Sequence, residues 1–327
     1  MRRPLQAALT AVALLLATAC SGGSTDGSEE GWSFTDDMGT KISLDAVPER
    51  IVAYKGVAAA LADMGLGDRV VGVFGEPTNP DPDLGLQSPE LDVSTLPDVT
   101  GGEYGAVELE ELAALEPDLI VTTTYGSGDY WYLSPDVAKR LGGTYDLAAI
   151  NLEKETVDGV IENSERLALA LGADEADFEA GHAALAKAGD LVRSAASTAG
   201  DPTIIATSTT PELLYVANPP AYADLTYLSD EIGLDVVRPA AKDLDEGDYW
   251  DSVSWEQADA YDADVALWDT RGGDKNLEAL EQQPVWNKVR AAQDGAYLPW
   301  RFEVAPSAQG YATMLELFAG DLQKLGS

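Results

Sequence analysis

The stretch RIVAYKGVAAALADMGLGDRVVGVFG, residues 50–75, decides the class of fold. Its first part, RIVAY, is rich in apolar and β-branched residues and predicts a strand. The next part, GVAAALADMGLG, has helical spacing and ends at Gly65 and Gly67, which are residues that commonly terminate helices. RVVGVFG then predicts a second strand. Strand, helix and strand in this order form a β-α-β unit, whose two strands are parallel.

Two later segments share one pattern and indicate a second unit of the same class. LEELAALEPDLIVTTT (residues 109–124) and SWEQADAYDADVALWDT (residues 254–270) both run from a glutamate-bearing helix through aspartate into a strand. This order is also common by chance in α/β proteins. Between them, residues 154–174 carry apolar side chains at helical spacing and predict one long amphipathic helix. We therefore predict two α/β lobes joined by that helix.

The first residues of the chain include two arginines and a short apolar run. Arg2 and Arg3 precede an apolar run from Leu5 to Ala19, which is shorter than the roughly 20 residues that span a bilayer. It predicts a signal peptide over residues 1–19, with a signal anchor as the alternative. The sequence LATAC resembles a lipobox, although its leucine stands one place further from the cysteine than usual. We expect a lipid anchor on Cys20 and a flexible tether over residues 20–31.

The charge of the chain excludes some partners. Lysine and arginine number 20 against 57 aspartates and glutamates, giving a formal net charge of −37. Such a surface repels nucleic acid, so we expect no nucleic-acid partner. It suits cationic or neutral partners, and a salt-tolerant or high-GC lineage would produce the same composition.

Metal and enzyme chemistry have little support in the sequence. His182 is the single histidine and lies in a predicted helix, so we expect no metal site. Ser-His-Asp and phosphate-cradling motifs are not evident, and we expect no enzymatic activity. A carboxylate-dependent hydrolase and a structural surface lipoprotein remain as remote alternatives.

Three segments in order carry a family resemblance: residues 50–73, VELEELAALEPDLIV (residues 107–121) and PVWNKVRAAQDGAYLP (residues 284–299). With them the chain resembles the substrate-binding lipoproteins of ABC importers for ferric siderophores, haem or corrinoids, the class III periplasmic binding proteins. The resemblance implies two Rossmann-like lobes joined by a single long rigid helix, with the ligand in the cleft between them. We expect an N-terminal lobe over 32–151, the bridging helix over 152–172 and a C-terminal lobe over 173–327.

The same resemblance implies partners and a location. The protein would be a monomer on the outer face of the bacterial cytoplasmic membrane, held there through Cys20, and would deliver its ligand to an ABC permease. Family members dock through one glutamate in each lobe, and the matching positions are Glu110 and Glu256. An ordinary solvated glutamate is the alternative interpretation of each.

Loops that follow predicted strands carry aromatic and cationic side chains, which suit a cleft for a chelate. The candidate ligand-binding residues are Tyr54, Lys55, Phe74, Tyr104, Tyr125, Tyr130, Trp131, Tyr132, Tyr215, Trp250, Trp268, Arg271, Trp300 and Arg301, with Tyr249 beside them. Trp268 is equally compatible with the core, residues 130–132 could cap the lobe, and Trp255 and Trp286 suit packing. The arginines suit donation to hydroxamate or carboxylate oxygens, or surface charge balance.

A siderophore already wraps its iron, so we expect no other cofactor. Few cations in the cleft favour a hydroxamate chelate over a highly anionic tricatecholate. Haem and corrinoids stay open, because a tyrosine could ligate haem iron.

Overall fold

The computed structural model describes residues 31–75, 91–126, 128–245, 247–301 and 303–325. The predicted signal peptide, Cys20 and the tether up to residue 30 lie outside the described residues. The strands are β1 Trp32–Thr35, β2 Lys41–Leu44, β3 Ile51–Tyr54, β4 Val70–Phe74, β5 Leu119–Thr124, β6 Leu147–Asn151, β7 Ile204–Thr209, β8 Leu213–Ala217, β9 Trp250–Ser254, β10 Val265–Asp269 and β11 Tyr297–Trp300. The α-helices are α1 Lys55–Asp63, α2 Leu109–Ala114, α3 Pro135–Leu141, α4 Val157–Ala170, α5 Glu179–Thr198, α6 Ala223–Thr226, α7 Asp274–Glu281, α8 Arg290–Asp294 and α9 Ala308–Leu325.

The first sheet is parallel and has the order β4-β3-β5-β6. Every residue of β3 and of β5 is buried, which explains why both strands are continuous apolar or threonine-rich runs rather than alternating ones. The predicted β-α-β unit therefore corresponds to β3, α1 and β4. A separate antiparallel hairpin of β1 and β2, which the sequence reasoning did not specify, precedes this sheet.

The second sheet is mixed and has the order β11-β10-β7-β8-β9. Strands β7, β10 and β11 are parallel, whereas β8 and β9 run antiparallel to their neighbours. Residues 234–237 contribute a single parallel bridge to this sheet, between Val236 and Ile204. The glutamate-bearing helix expected before β10 is a short 3-10 helix, Trp255–Ala260.

Helix α4 connects the two lobes and contributes to both of their cores. It begins at Val157, and Thr156 is its N-cap residue: Thr156 Oγ1 accepts a hydrogen bond of 3.0 Å from the amide of Gly159. Its first turns bury Val157, Val160 and Ile161 in the core of the second lobe. Its last turns bury Leu167 and Ala168 in the core of the first lobe. Because one helix is packed into two cores, it makes a rigid connection.

A second connection joins α1 to the start of α9. Ser307 Oγ donates a hydrogen bond of 2.5 Å to Asp63 Oδ2 at the end of α1. Ala305 packs in the first core, and Val304 and Ala308 on either side of it pack in the second. Across the ranges given above, no helix is long and apolar enough to cross a bilayer.

Candidate functional site

A cavity of about 350 Å³ lies between the two lobes. The residues that line it come from both halves of the chain: Tyr125, Trp131, Glu153, Tyr222, Gly247, Tyr249, Trp250 and Arg271. Tyr125, Glu153 and Arg271 follow the carboxyl ends of β5, β6 and β10, which is where ligands of open α/β sheets bind. The cavity is mainly aromatic, with one carboxylate and one guanidinium in its lining.

The first wall of the cavity is built on Trp131, whose backbone is fixed to the end of β5. Its amide donates to the carbonyl of Thr123 at 2.8 Å, and its carbonyl accepts from Thr122 Oγ1 at 2.7 Å. The next residue, Tyr132, has φ of 56°, an uncommon conformation for a side chain of this size. The indole of Trp131 lies 4.7 Å from the ring of Tyr125, centroid to centroid. The ring that faces the cavity is therefore positioned before any ligand arrives.

The indole nitrogen of Trp131 is buried and has no hydrogen-bond acceptor among the described residues. Buried polar groups are nearly always satisfied. This nitrogen is one of a few exceptions in the described part of the chain.

The second wall is formed by Tyr222 and Trp250, whose rings pack with that of Trp300. The ring of Tyr222 lies 5.5 Å from that of Trp250 and 4.9 Å from that of Trp300, both edge to face. Trp300 is buried behind this wall, and its indole nitrogen donates to Asp224 Oδ2 at 2.6 Å. Burial raises the pKa of Asp224 to about 6, although the hydrogen bond from Trp300 acts in the opposite direction.

Arg271 is the cation of the cavity, and a buried aspartate orients it. Its Nη2 donates to Asp269 Oδ2 at 2.7 Å, and Ser208 Oγ donates to the same oxygen at 2.9 Å. Burial alone would lower the pKa of Arg271, but the hydrogen bonds and charge of Asp269 outweigh it and raise that pKa. Arg271 stays charged and its side chain keeps 32% exposure, so it can donate to ligand oxygens.

Tyr249 connects the two lobes at the cavity. The hydroxyl of Tyr249 lies 3.3 Å from Glu153 Oε1 and 3.4 Å from the carbonyl oxygen of Tyr125, and it can donate to either. Beside it, Lys154 Nζ lies 3.7 Å from Asp248 Oδ2. Burial first, and then the charge of Glu153, raise the pKa of Tyr249, so its hydroxyl remains a donor at neutral pH.

Four of the fourteen candidate residues line the cavity, namely Tyr125, Trp131, Trp250 and Arg271, and Tyr249 lies beside them. Four others are buried in the cores of the two lobes: Tyr54, Phe74, Tyr132 and Trp300. The rings of Tyr54 and Tyr132 stack at 5.2 Å, and the ring of Tyr132 lies 5.4 Å from that of Trp131.

The six remaining candidates lie outside this lining, and several have structural partners. Lys55 pairs with Asp98 at 2.9 Å, and Arg301 pairs with Asp321 of α9 at 2.8 Å. Trp268 packs against a third cluster of buried residues, which includes Leu214 and Trp286. Tyr130 packs against the core of the first lobe. Tyr215 is half-buried, with its ring 6.1 Å from that of Trp250. Tyr104 is 60% exposed, and its ring lies 6.1 Å from that of Trp131.

Sequence reasoning missed Glu153 and Tyr222. Glu153 lies two residues after the end of β6, as Arg271 lies two residues after the end of β10, so the rule of strand ends could have found it. Tyr222 follows β8 after the turn NPPA. Because β8 runs antiparallel to its neighbours, the rule that ligands bind at the carboxyl ends of parallel strands does not predict this residue.

Metal binding by the protein itself has no geometric support in the described ranges. No group of three or more histidine, cysteine, aspartate or glutamate side chains there could hold an ion. His182 pairs with Glu165 at 2.6 Å, on the surface between α4 and α5. What the cavity offers a ligand is aromatic surface, one guanidinium, one carboxylate and tyrosine hydroxyls.

Comparisons with known proteins identify the family. The profile of the periplasmic binding protein family matches residues 51–300. No protein with a curated description matches the chain. Among solved structures, DesE from Streptomyces coelicolor, a ferric-siderophore receptor, is 30% identical, with 89% of this chain and 98% of that chain covered and a TM-score of 0.75.

Two more distant structures share the fold. FhuD from Vibrio cholerae, solved with Fe3+-Desferal, is 17% identical, with 85% and 98% of the two chains covered and a TM-score of 0.61. The haem-binding RhuT from Roseiflexus sp. RS-1 is 18% identical, with 85% and 99% covered and a TM-score of 0.61. The predicted fold of two α/β lobes joined by a helix is confirmed, and the chain belongs to the periplasmic binding protein family of ABC importers.

Proposed function

We propose that the protein captures a ferric siderophore of the hydroxamate type in the interlobe cavity and delivers it to an ABC permease. The aromatic cavity with its oriented Arg271 carries this proposal. Aromatic faces bury the organic shell of a chelate, and a guanidinium donates to hydroxamate oxygens. The ferric-siderophore receptor DesE, the relative at 30% identity, supports the same class of ligand. This role requires binding and release, and no catalytic step.

The charges around the cavity favour a hydroxamate over a tricatecholate. Arg271 is already paired with Asp269, and Glu153 lines the same cavity. The buried Glu303 adds negative potential that acts on Arg271 and Tyr125. A chelate with several negative charges would be repelled by these carboxylates, whereas a neutral or cationic chelate would not.

Haem is the second candidate, because RhuT shares the fold and tyrosine can ligate haem iron. Against it, burial raises the pKa of Tyr125, of Tyr222 and of Tyr249. Forming the phenolate that binds haem iron would therefore be costly at each of them. A corrinoid would be a further outcome of the same binding test.

Docking and anchoring complete the proposal. Glu110 and Glu256 are both exposed, and each lies in the first turn of a short helix in a different lobe. We assign them to pairs with permease arginines, which would set the register of docking more than its strength. We also propose lipidation at Cys20, lobes divided at residues 152–172 and a monomeric protein on the outer face of the membrane.

The first experiment titrates the purified protein with ferric hydroxamates, ferric catecholates, haem and cobalamin, using tryptophan fluorescence. Trp131 and Trp250 line the cavity, so a bound chelate should quench them strongly. Arg271→Ala should weaken binding about tenfold or more, since hydrogen bonds to charged groups contribute ~1.5–3 kcal/mol. Arg193→Ala, which removes an arginine on the surface of α5, is the matched control.

Tight binding of a ferric hydroxamate that is lost in Arg271→Ala alone would support the proposal. Tight binding of haem or cobalamin instead would show that the ligand is not a ferric hydroxamate. A hydroxamate affinity that both variants leave unchanged would refute the assigned cavity.

A further inference from the structure

We propose that the cavity contains a distinct ammonium-binding subsite, formed by Glu153, the hydroxyl of Tyr249 and the neighbouring aromatic rings. It would receive a protonated amine at the periphery of the chelate. The inference rests on the proposed function and makes it narrower: the preferred ligand is a ferric hydroxamate with a free, positively charged amine.

The backbone of Glu153 is fixed by a hydrogen bond, and its carboxylate lies against a glycine of the neighbouring loop. Its backbone amide donates to Asn151 Oδ1 at 3.1 Å, and its side chain is 27% exposed. The side chain lies against Gly126, where φ is 75° and any side chain would overlap the carboxylate. A glycine at this position therefore leaves the space that the carboxylate occupies.

The two charged groups that line the cavity differ in how completely they are neutralised. Arg271 makes a close, two-point contact with the buried Asp269. The counter-charge of Glu153 is weaker: Lys154 Nζ lies 3.9 Å from Glu153 Oε1, and the side chain of Lys154 is 48% exposed. Asp248 Oδ2 competes for the same ammonium group at 3.7 Å. An exposed pair of this length contributes little, so Glu153 retains most of its attraction for another cation.

The surroundings of Glu153 suit an ammonium group more than a second metal or a neutral hydroxyl. The rings of Tyr125, Trp131 and Tyr249 line the same cavity and present π-electron density to a cation. A carboxylate beside aromatic rings attracts a charged amine through both its charge and the rings. A single carboxylate, by contrast, gives a metal ion too few ligands.

The test compares two ferric complexes that differ only in one charge. The first is a linear tris-hydroxamate that ends in a primary amine, and the second is the same chelator after N-acetylation. The wild-type protein should bind the amine form about tenfold or more tightly, the range of a charge-assisted contact. Glu153→Gln should reduce that ratio to near one, mainly by weakening binding of the amine form. Glu162→Gln, an exposed glutamate on α4, should leave the ratio unchanged.

A second variant should shift the ratio in the opposite direction. Lys154 has φ of 54°, a conformation that asparagine tolerates, so Lys154→Asn removes the competing cation without new backbone strain. The preference for the amine form should then increase. Added salt should reduce the preference in the wild-type protein.

The outcomes separate this inference from the function on which it rests. Equal affinity of the wild-type protein for both complexes would overturn the ammonium subsite and leave hydroxamate capture standing. A preference that persists in Glu153→Gln would also overturn the assignment to Glu153. If neither complex binds and haem or cobalamin binds instead, both the hydroxamate ligand and the ammonium subsite are refuted.

Discussion

Replacing Asp224 by asparagine should stabilise the protein at neutral pH and should have little effect in acid. Asp224 is buried behind the aromatic wall, with a folded-state pKa of about 6 against an ordinary value of 3.8. Above that folded pKa, the native protein must keep an ionised carboxylate away from water, while the unfolded chain ionises freely. Stability is therefore lost as the pH rises from about 4 to about 6.

The size of the effect follows from the displacement of this pKa. Each unit corresponds to 1.36 kcal/mol, so a displacement of roughly two units gives about 3 kcal/mol as an upper bound. Asparagine retains an oxygen that can accept from the indole nitrogen of Trp300, so the hydrogen bond of 2.6 Å has a substitute. The variant therefore removes the buried charge and keeps the contact.

Urea unfolding of both proteins at about pH 4 and about pH 7.5 measures the difference directly. Asp224→Asn should gain up to about 3 kcal/mol at the higher pH and close to nothing at the lower. Asp68→Asn, which removes an exposed carboxyl group, should show little difference between the two conditions. A variant that is destabilised equally at both values of pH would refute the argument, because the charge of Asp224 would then be well solvated or compensated.

Two further predictions test the cavity loop and the docking surface. Gly126→Ala should lower ligand affinity more than Gly128→Ala in the same titration. Both positions have positive φ, but only at Gly126 would a new side chain meet the carboxylate of Glu153. Equal losses of affinity would mean that both variants act only through backbone strain, of about 1–3 kcal/mol. The double variant Glu110→Ala, Glu256→Ala should bind ligand normally and yet fail to support uptake of labelled chelate by cells. Normal uptake by that variant would assign docking to other residues.

The sequence predicted the elements of the first lobe well because its signals there are local. The periodicity of residues 51–74 and the glycines after α1 determine strand, helix and strand without reference to the rest of the chain. The antiparallel course of β8 and β9 depends instead on pairing between distant segments. Local periodicity carries no information about that direction.

The candidate site was predicted only in part, for a related reason. A position after a strand specifies the edge of the sheet that a residue occupies, but not the direction of its side chain. Phe74 and Trp300 end strands at the expected edge, yet both are buried against the core. Tyr125 and Arg271 occupy equivalent edge positions and do face the cavity. Packing of the surrounding helices decides between these outcomes, and that packing involves residues far apart in sequence.

The sharing of α4 between two cores has a consequence for how the molecule comes apart. Val160 belongs to one core and Leu167 to the other, while Asp63 and Ser307 connect the lobes again. Melting either lobe would expose the apolar face that α4 contributes to it and would loosen the start of α9. The two lobes should therefore unfold in one cooperative transition, and slow amide exchange should report a single global opening for both sheets.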